Sequence, residues 1–365
     1  MSGVEQPSRR DSHGPLDVVR VAAGNFLEMY DFMVFGYYAA AIGKAFFPTG
    51  DPFATLMLAL MTFGAGFLMR PIGAVVLGAY TDRHGRRKGF YVSWQSASQQ
   101  VAVVTAAGIG ALLAVWLTPR QMGDFGWRIP LLFGCAIAPF IFLLRRSLKE
   151  TQAFRAMRVP PSLARVCRDL VGHWKAVLTG MALATMTTVS FYMITAYTPT
   201  FGGLLKLPAG QTLVVTACVG LSNLVWLPVM GAVSDRLGRR PVLIACTIAA
   251  LLTAYPAMAW LASSPSFGRM LTVELWLSFV YASYNGAMVV FLTEIIPAEV
   301  RASGFSLAYS LATAIFGGFT PAIATGLIHV TGNHAMPGAW LSVAAALGLA
   351  AALVAKPARP LVGTG

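Results

Sequence analysis

The sequence predicts an all-α protein that crosses a membrane ten times, four spans followed by six. Three observations carry this. Charged residues are 11% of the 365 and apolar ones 56%, whereas soluble globular domains hold about 25% charged residues. Mean hydropathy is +0.66. Apolar stretches of about the ~20 residues that cross a ~30 Å hydrocarbon core recur along the chain.

The first span, at about 18–41, follows a polar segment with Arg9, Arg10 and Arg20. That segment has no apolar core and no small-residue cleavage site, so no cleaved signal peptide is expected. The second, at about 54–79, runs into the basic cluster Arg83–Lys88, and the third, at about 91–116, leaves it. The fourth, at about 128–145, runs into a polar break. Six more lie at about 176–198, 211–233, 241–262, 270–293, 303–328 and 338–355. This divides the chain into an N-terminal bundle over 1–145, a linker over 146–175 and a C-terminal bundle over 176–365. In the linker Leu163, Val166, Leu170, Val171 and Trp174 follow helical spacing beside Arg165, Arg168 and Lys175. Two readings stand: a basic amphipathic helix on the membrane face, or a solvated linker.

A net charge of +13 in a soluble protein points to nucleic acid. Here the basic residues sit between apolar stretches. With the N-terminus inside, 21 of the 27 Lys and Arg fall in inside segments and five in outside ones, Arg70 lying within a span. That asymmetry is the positive-inside pattern and places both termini in the cytoplasm. No nucleic-acid partner is expected. The four cysteines, Cys135, Cys167, Cys218 and Cys246, form no CxxC and read as small core residues. The five histidines do not cluster, and no Ser-His-Asp, metal or nucleotide pattern occurs. The expectation is no enzyme, no cofactor and no metal.

One segment recurs. Gly78, Asp82, Arg83, Gly85, Arg86 and Arg87 match Gly231, Asp235, Arg236, Gly238, Arg239 and Arg240 in the spacing G-x-x-x-D-R-x-G-R-R, each after the second span of its half. A positive-inside anchor accounts for the arginines but not for the repeated glycines and aspartate. A second pair extends the repeat: Arg87-Lys88-Gly89-Phe90 resembles Arg301-Ala302-Ser303-Gly304-Phe305. Arg240 and Gly304 lie 64 positions apart, but Arg87 and Gly89 only two. The difference, 62 residues, is the length of two spans with their loops. Four spans therefore stand in the first half where six are expected, and loss of a pair preserves every later orientation.

The repeated signature resembles the cytoplasmic loop motif of the major facilitator superfamily. Gly24-Asn25 with Glu28, Tyr30-Asp31-Phe32, Arg70-Pro71-Ile72-Gly73 and Gly126-Trp127-Arg128 resemble its metabolite–proton symporters. Tyr91-Val92-Ser93-Trp94-Gln95 with Gln99-Gln100, and the stretch from Gly304 through Tyr309 and Gly317-Gly318 to Pro321, resemble the citrate and tricarballylate carriers among them. The resemblance covers essentially the whole chain apart from the gap. It implies a major facilitator fold with ten helices in place of twelve, and proton-coupled symport of a tricarboxylate across the cytoplasmic membrane. Tricarballylate, another organic acid or a zwitterionic osmolyte are alternative substrates, and a non-transporting remnant is the alternative function. In the family the loop motif latches the cytoplasmic side. On that pattern Asp235 would face the helix opening at Phe90, Arg236 would pair with Glu294, near Arg301, and Arg83 would lack its partner.

Charges inside a bilayer are costly and usually mark a pathway. Glu28 and Asp31 stand three apart on one face of the first span, and Asn25 extends that face. Asp31 lies roughly 16 Å above Arg20, and Arg70 roughly 18 Å above Asp82, at 1.5 Å per residue. An ion pair of Arg70 with Asp31 or Glu28 is therefore feasible. The functional reading makes Glu28 or Asp31 the proton carrier and Arg70 the substrate-carboxylate site, since a guanidinium binds carboxylate bidentately and stays charged. The structural reading is a pair that ties two spans together. Gln95, Gln99, Tyr192, Tyr197, Tyr284 and Asn285 are candidate hydrogen-bonding groups for the substrate, or helix–helix contacts. Glu274, near Arg269, reads as interfacial.

Overall fold

A computed structural model describes residues 15–71, 89–146, 168, 170–297 and 300–355. The first loop motif (78–87) and linker residues 147–167 lie outside them. The described residues are helical with turns, and they account for all ten expected spans, the second as far as Pro71.

The first span is α1 (Pro15–Tyr37) continued after Tyr38 by α2 (Ala39–Phe46). The second begins with α3 (Pro52–Ala65), opened by Asp51, whose carboxylate accepts the amides of Phe53 and Ala54. Turns at 66–69 then lead to Arg70. Next come α4 (Gly89–Trp116) and α5 (Arg128–Arg146), joined by a Thr118–Gln121 capping box and a π-helical turn, Met122–Gly126. The fifth span is α6 (Trp174–Ile194), broken at 195–197 and resumed as α7 (Thr198–Leu204). α8 (Ala209–Leu237), α9 (Arg239–Ser263) and α10 (Phe267–Ile295) follow. The ninth span is α11 (Arg301–Ala312), a π-helical segment Thr313–Gly317, and α12 (Thr320–Thr331); the tenth is α13 (Met336–Val354). Seven of these passes are long and apolar enough to cross a membrane. Of the linker stripe, Leu170 is buried and Val171 and Trp174 are exposed; Leu163, Val166 and Arg165 lie outside the described residues.

Helices in lipid gain little from hydrophobic burial against one another, so close packing through small residues joins them. A Cβ on Gly220 of α8 would stand 2.7 Å from a Val104 methyl on α4, and one on Gly110 of α4 would stand 3.0 Å from Leu213. In the turns after α3 and before α12, a Cβ on Gly318 would lie 2.6 Å from the Phe67 ring, and Phe53 of α3 stacks on His329 of α12 at 3.6 Å. Gly36 of α1 meets Ala196 beside α7. These approaches join the first five helices to the later eight.

Candidate functional site

Arg70 stands just after the tight turns that end α3, facing α1. Its Nη2 donates to Glu28 Oε1 at 2.5 Å. Its guanidinium carbon lies 5.1 Å from the Phe32 ring centre and 4.9 Å from that of Phe67, the two rings stacking at 4.4 Å. Such cation–π contacts stabilise a desolvated guanidinium by ~2 kcal/mol. Phe67 in turn meets the ring of Tyr192 on α6 edge-on at 5.1 Å, and Tyr192 and Tyr309 of α11 lie within electrostatic reach of Arg70. The pair therefore sits between the two groups of helices, touched by both. Arg70 is 25% exposed and Glu28 54%, so the carboxylate remains reachable while the guanidinium is largely enclosed.

Of the two carboxylates, the structure brings Glu28 to Arg70. Asp31 is turned toward α5, where its Oδ1 would lie 2.6 Å from a Cβ on Gly134. Asn25 donates to Ser98 of α4 at 2.8 Å. Tyr197 accepts from Thr325 of α12 at 3.2 Å. Asn285 is buried one helical turn beyond Tyr281, and its Oδ1 has no partner among the described residues. Tyr281 packs on Phe191, beside Tyr192. Tyr284 is not brought to this site: its hydroxyl donates to the Leu183 carbonyl at 2.9 Å inside a separate core cluster. Gln99 is half-buried, and the Gln95 side chain lies outside the described residues. The adjacent Gln100 is fully buried and accepts from Asn223 of α8 at 3.2 Å, while Asn223 accepts from Ser278 of α10 at 2.8 Å. Sequence reasoning missed Gln100 and the Phe32–Phe67 stack. Their signal, a second polar residue beside Gln99 and aromatics at the depth of Arg70, was present but shared with ordinary core positions.

The second loop motif corrects one expectation. Arg239, not Arg236, meets Glu294: Nη1 donates to Glu294 Oε1 at 2.6 Å, and Nη2 to Asp235 Oδ1 at 2.8 Å. Asp235 is thereby paired with Arg239, and Arg236 is exposed. The cause is Gly238, whose φ of +89° ends α8 and starts α9 within one residue, a conformation that favours glycine. The reversal swings Arg239 back over Asp235. Gly231 lies where α8 crosses α10 at Gly286, with backbone near backbone. Arg240 donates to the carbonyls of Ala352 at 2.9 Å and Leu353 at 2.6 Å, capping α13. Arg301 reaches the Ile296 carbonyl at 3.5 Å. Gly78, Asp82, Arg83, Gly85, Arg86 and Arg87 lie outside the described residues.

The Major Facilitator Superfamily model matches residues 30–319. The chain is 49% identical to the citrate-proton symporter of Klebsiella pneumoniae, covering 92% of this chain and 90% of that one. It is 46% identical to the citrate-proton symporter of Salmonella typhi, with 92% of each covered. The proline/betaine transporter of Escherichia coli is 26% identical over 95% of this chain and 84% of its own. The crystal structure of D-xylose-proton symporter has the same fold, with a TM-score of 0.71 at 15% identity over 93% of this chain and 96% of that one. The Klebsiella alignment spans 399 positions, yet 92% of 365 residues is about 336. About 63 of its positions therefore have no residue here, close to the 62 missing from the internal repeat. The matched length, the two relatives near half identity and the shared fold give one conclusion: this chain is a multi-pass membrane protein of the transporter kind, not an enzyme, and it belongs to the major facilitator superfamily.

Proposed function

We propose that this chain is a form of a proton-coupled symporter of citrate or a related tricarboxylate, set in the cytoplasmic membrane with both termini inside. We also propose that, lacking two helices, it does not itself accumulate substrate. The division is 1–145 for the incomplete bundle, 146–175 for the linker and 176–365 for the six-span bundle.

The observation that carries the reading is the Arg70–Glu28 pair between the helix groups. A substrate carboxylate and Glu28 compete for one guanidinium. Protonation of Glu28 removes its charge and frees the fork of Arg70 for the substrate; loss of the proton restores the pair and expels the substrate. Proton and substrate are thereby linked in one direction of travel. Asp31, three residues on, is the second candidate proton carrier. Asn285 offers an acceptor for a substrate hydroxyl. A zwitterionic osmolyte is less well served, because the aromatic faces that would take its ammonium are occupied by Arg70.

Two features support inactivity of this form. Alternating access rocks two complete bundles about a midplane site, and four helices do not complete one. A tricarboxylate trianion also needs more than one cation, and Arg70 is the one arginine or lysine away from a span end among the described residues. Proteoliposomes with an imposed proton gradient test this. The chain with the ~62 residues restored after Arg87 is expected to accumulate citrate, and the chain as it stands is not. Equal uptake by the two overturns the proposal. In the restored chain, Glu28→Gln is expected to abolish pH-driven accumulation. If Glu28→Gln and Asp31→Asn both accumulate fully, the proton assignment is wrong.

A further inference from the structure

From the sequence, Glu274 beside Arg269 reads as interfacial. The structure places it elsewhere. Its residue is 1% exposed, inside the packing of α10, and its Oε2 has no partner among the described residues. Arg269 is engaged otherwise: it donates to the Trp260 carbonyl at 2.9 Å and the Ser263 hydroxyl at 3.0 Å, and lies over the Trp260 ring. Among the described residues no charged group pairs with it; Tyr197, at the α6–α7 break, is bonded to Thr325. Lys206 is exposed beyond α7, and His329 is stacked on Phe53.

Thr198, at the start of α7, is a polar neighbour, and its one hydroxyl proton is directed to the Ile194 carbonyl at 2.9 Å. No donor among the described residues therefore holds Glu274 Oε2 as a carboxylate oxygen. An isolated charge in so dry a place would also cost far more than the neutral acid.

We propose that Glu274 is a second proton-holding site, in the C-terminal half, kept as the neutral acid. This extends the proton-coupled reading, adding a proton within the membrane interior to the one carried by Glu28 or Asp31. Its test needs no transport, so it stands or falls apart from the substrate assignment. The chain, labelled with carboxyl-13C glutamate and reconstituted in phosphatidylcholine vesicles, is examined by infrared spectroscopy at neutral pH. An isotope-sensitive band of a protonated carboxyl is expected. It should vanish in Glu274→Gln and persist in Glu28→Gln. Absence of the band in the parent chain, or its survival in Glu274→Gln, overturns the proposal. Should Glu274→Gln fail to insert, Glu274→Asp decides: an isotope-sensitive band that persists there overturns it.

Discussion

Two glycines meet where α8 crosses α10, and the structure assigns them opposite tolerances. A Cβ on Gly286 would lie 2.9 Å from the Gly231 amide nitrogen and 3.1 Å from the Leu227 carbonyl oxygen. Both are backbone atoms, so no side-chain rotation relieves the contact and the helices must separate. Overpacking of this kind costs about 1–3 kcal/mol, and alanine recovers about 1 kcal/mol of helix propensity over glycine. With backbone on both sides the upper end applies, for a net loss of about 2 kcal/mol in Gly286→Ala. Gly231 is the glycine of the loop signature, yet a Cβ there would meet only the Gly286 carbonyl oxygen at 3.9 Å, an ordinary contact. Gly231→Ala should therefore be neutral or gain up to about 1 kcal/mol. Equilibrium unfolding of the two variants in mixed micelles, read by tryptophan fluorescence, measures the difference, expected at about 2–3 kcal/mol. A Gly231→Ala variant as unstable as Gly286→Ala would refute the reasoning and show that the signature glycine serves a packing other than this one.

The loop bridge and the topology give two further expectations. Arg239→Ala should open the α8–α9 turn, whereas Arg236→Ala should not. With Ser234, which is buried, replaced by cysteine, maleimide labelling should quicken roughly fivefold in the first background, for about 1 kcal/mol from a bridge whose partners are partly solvated. Equal rates in the two backgrounds would restore Arg236 as the partner. A cysteine at Asp124, 68% exposed in its side chain, should react with an impermeant reagent from outside intact cells, and one at Ser162 should not. The reverse pattern removes the assignment of cytoplasmic termini.

Span positions were legible because hydropathy over about 20 residues averages out local detail. The seventh, expected at 241–262, is Arg239–Ser263, and the third, expected at 91–116, is Gly89–Trp116. The breaks at Tyr38 and 195–197 and the π-helical segment Thr313–Gly317 were not legible. Each shifts only backbone hydrogen bonds by a residue or two, which leaves no mark on apolar content. The Arg70 site was half legible. A lone arginine and two acids inside apolar stretches stand out, but residues three apart on a helix differ by only about 60° in direction. Which acid meets Arg70 depends on where α3 and α5 lie. The same limit separates Gln99 from Gln100, whose ~100° difference decides which one reaches Asn223. The choice of Arg239 over Arg236 turned on one positive φ at Gly238, a glycine whose place in the signature was visible but whose effect on its neighbour was not.

Arg240 also bears on how the chain is made. Its acceptors on Ala352 lie 112 residues later, which at about 5–20 residues per second is roughly 6–22 s of synthesis. Through that interval the loop is complete, while the carbonyls that will hold its last arginine have not left the ribosome. The loop and α13 therefore close together, as the final event of assembly. A chain halted before Ala352 lacks the carbonyls that tie the loop to α13.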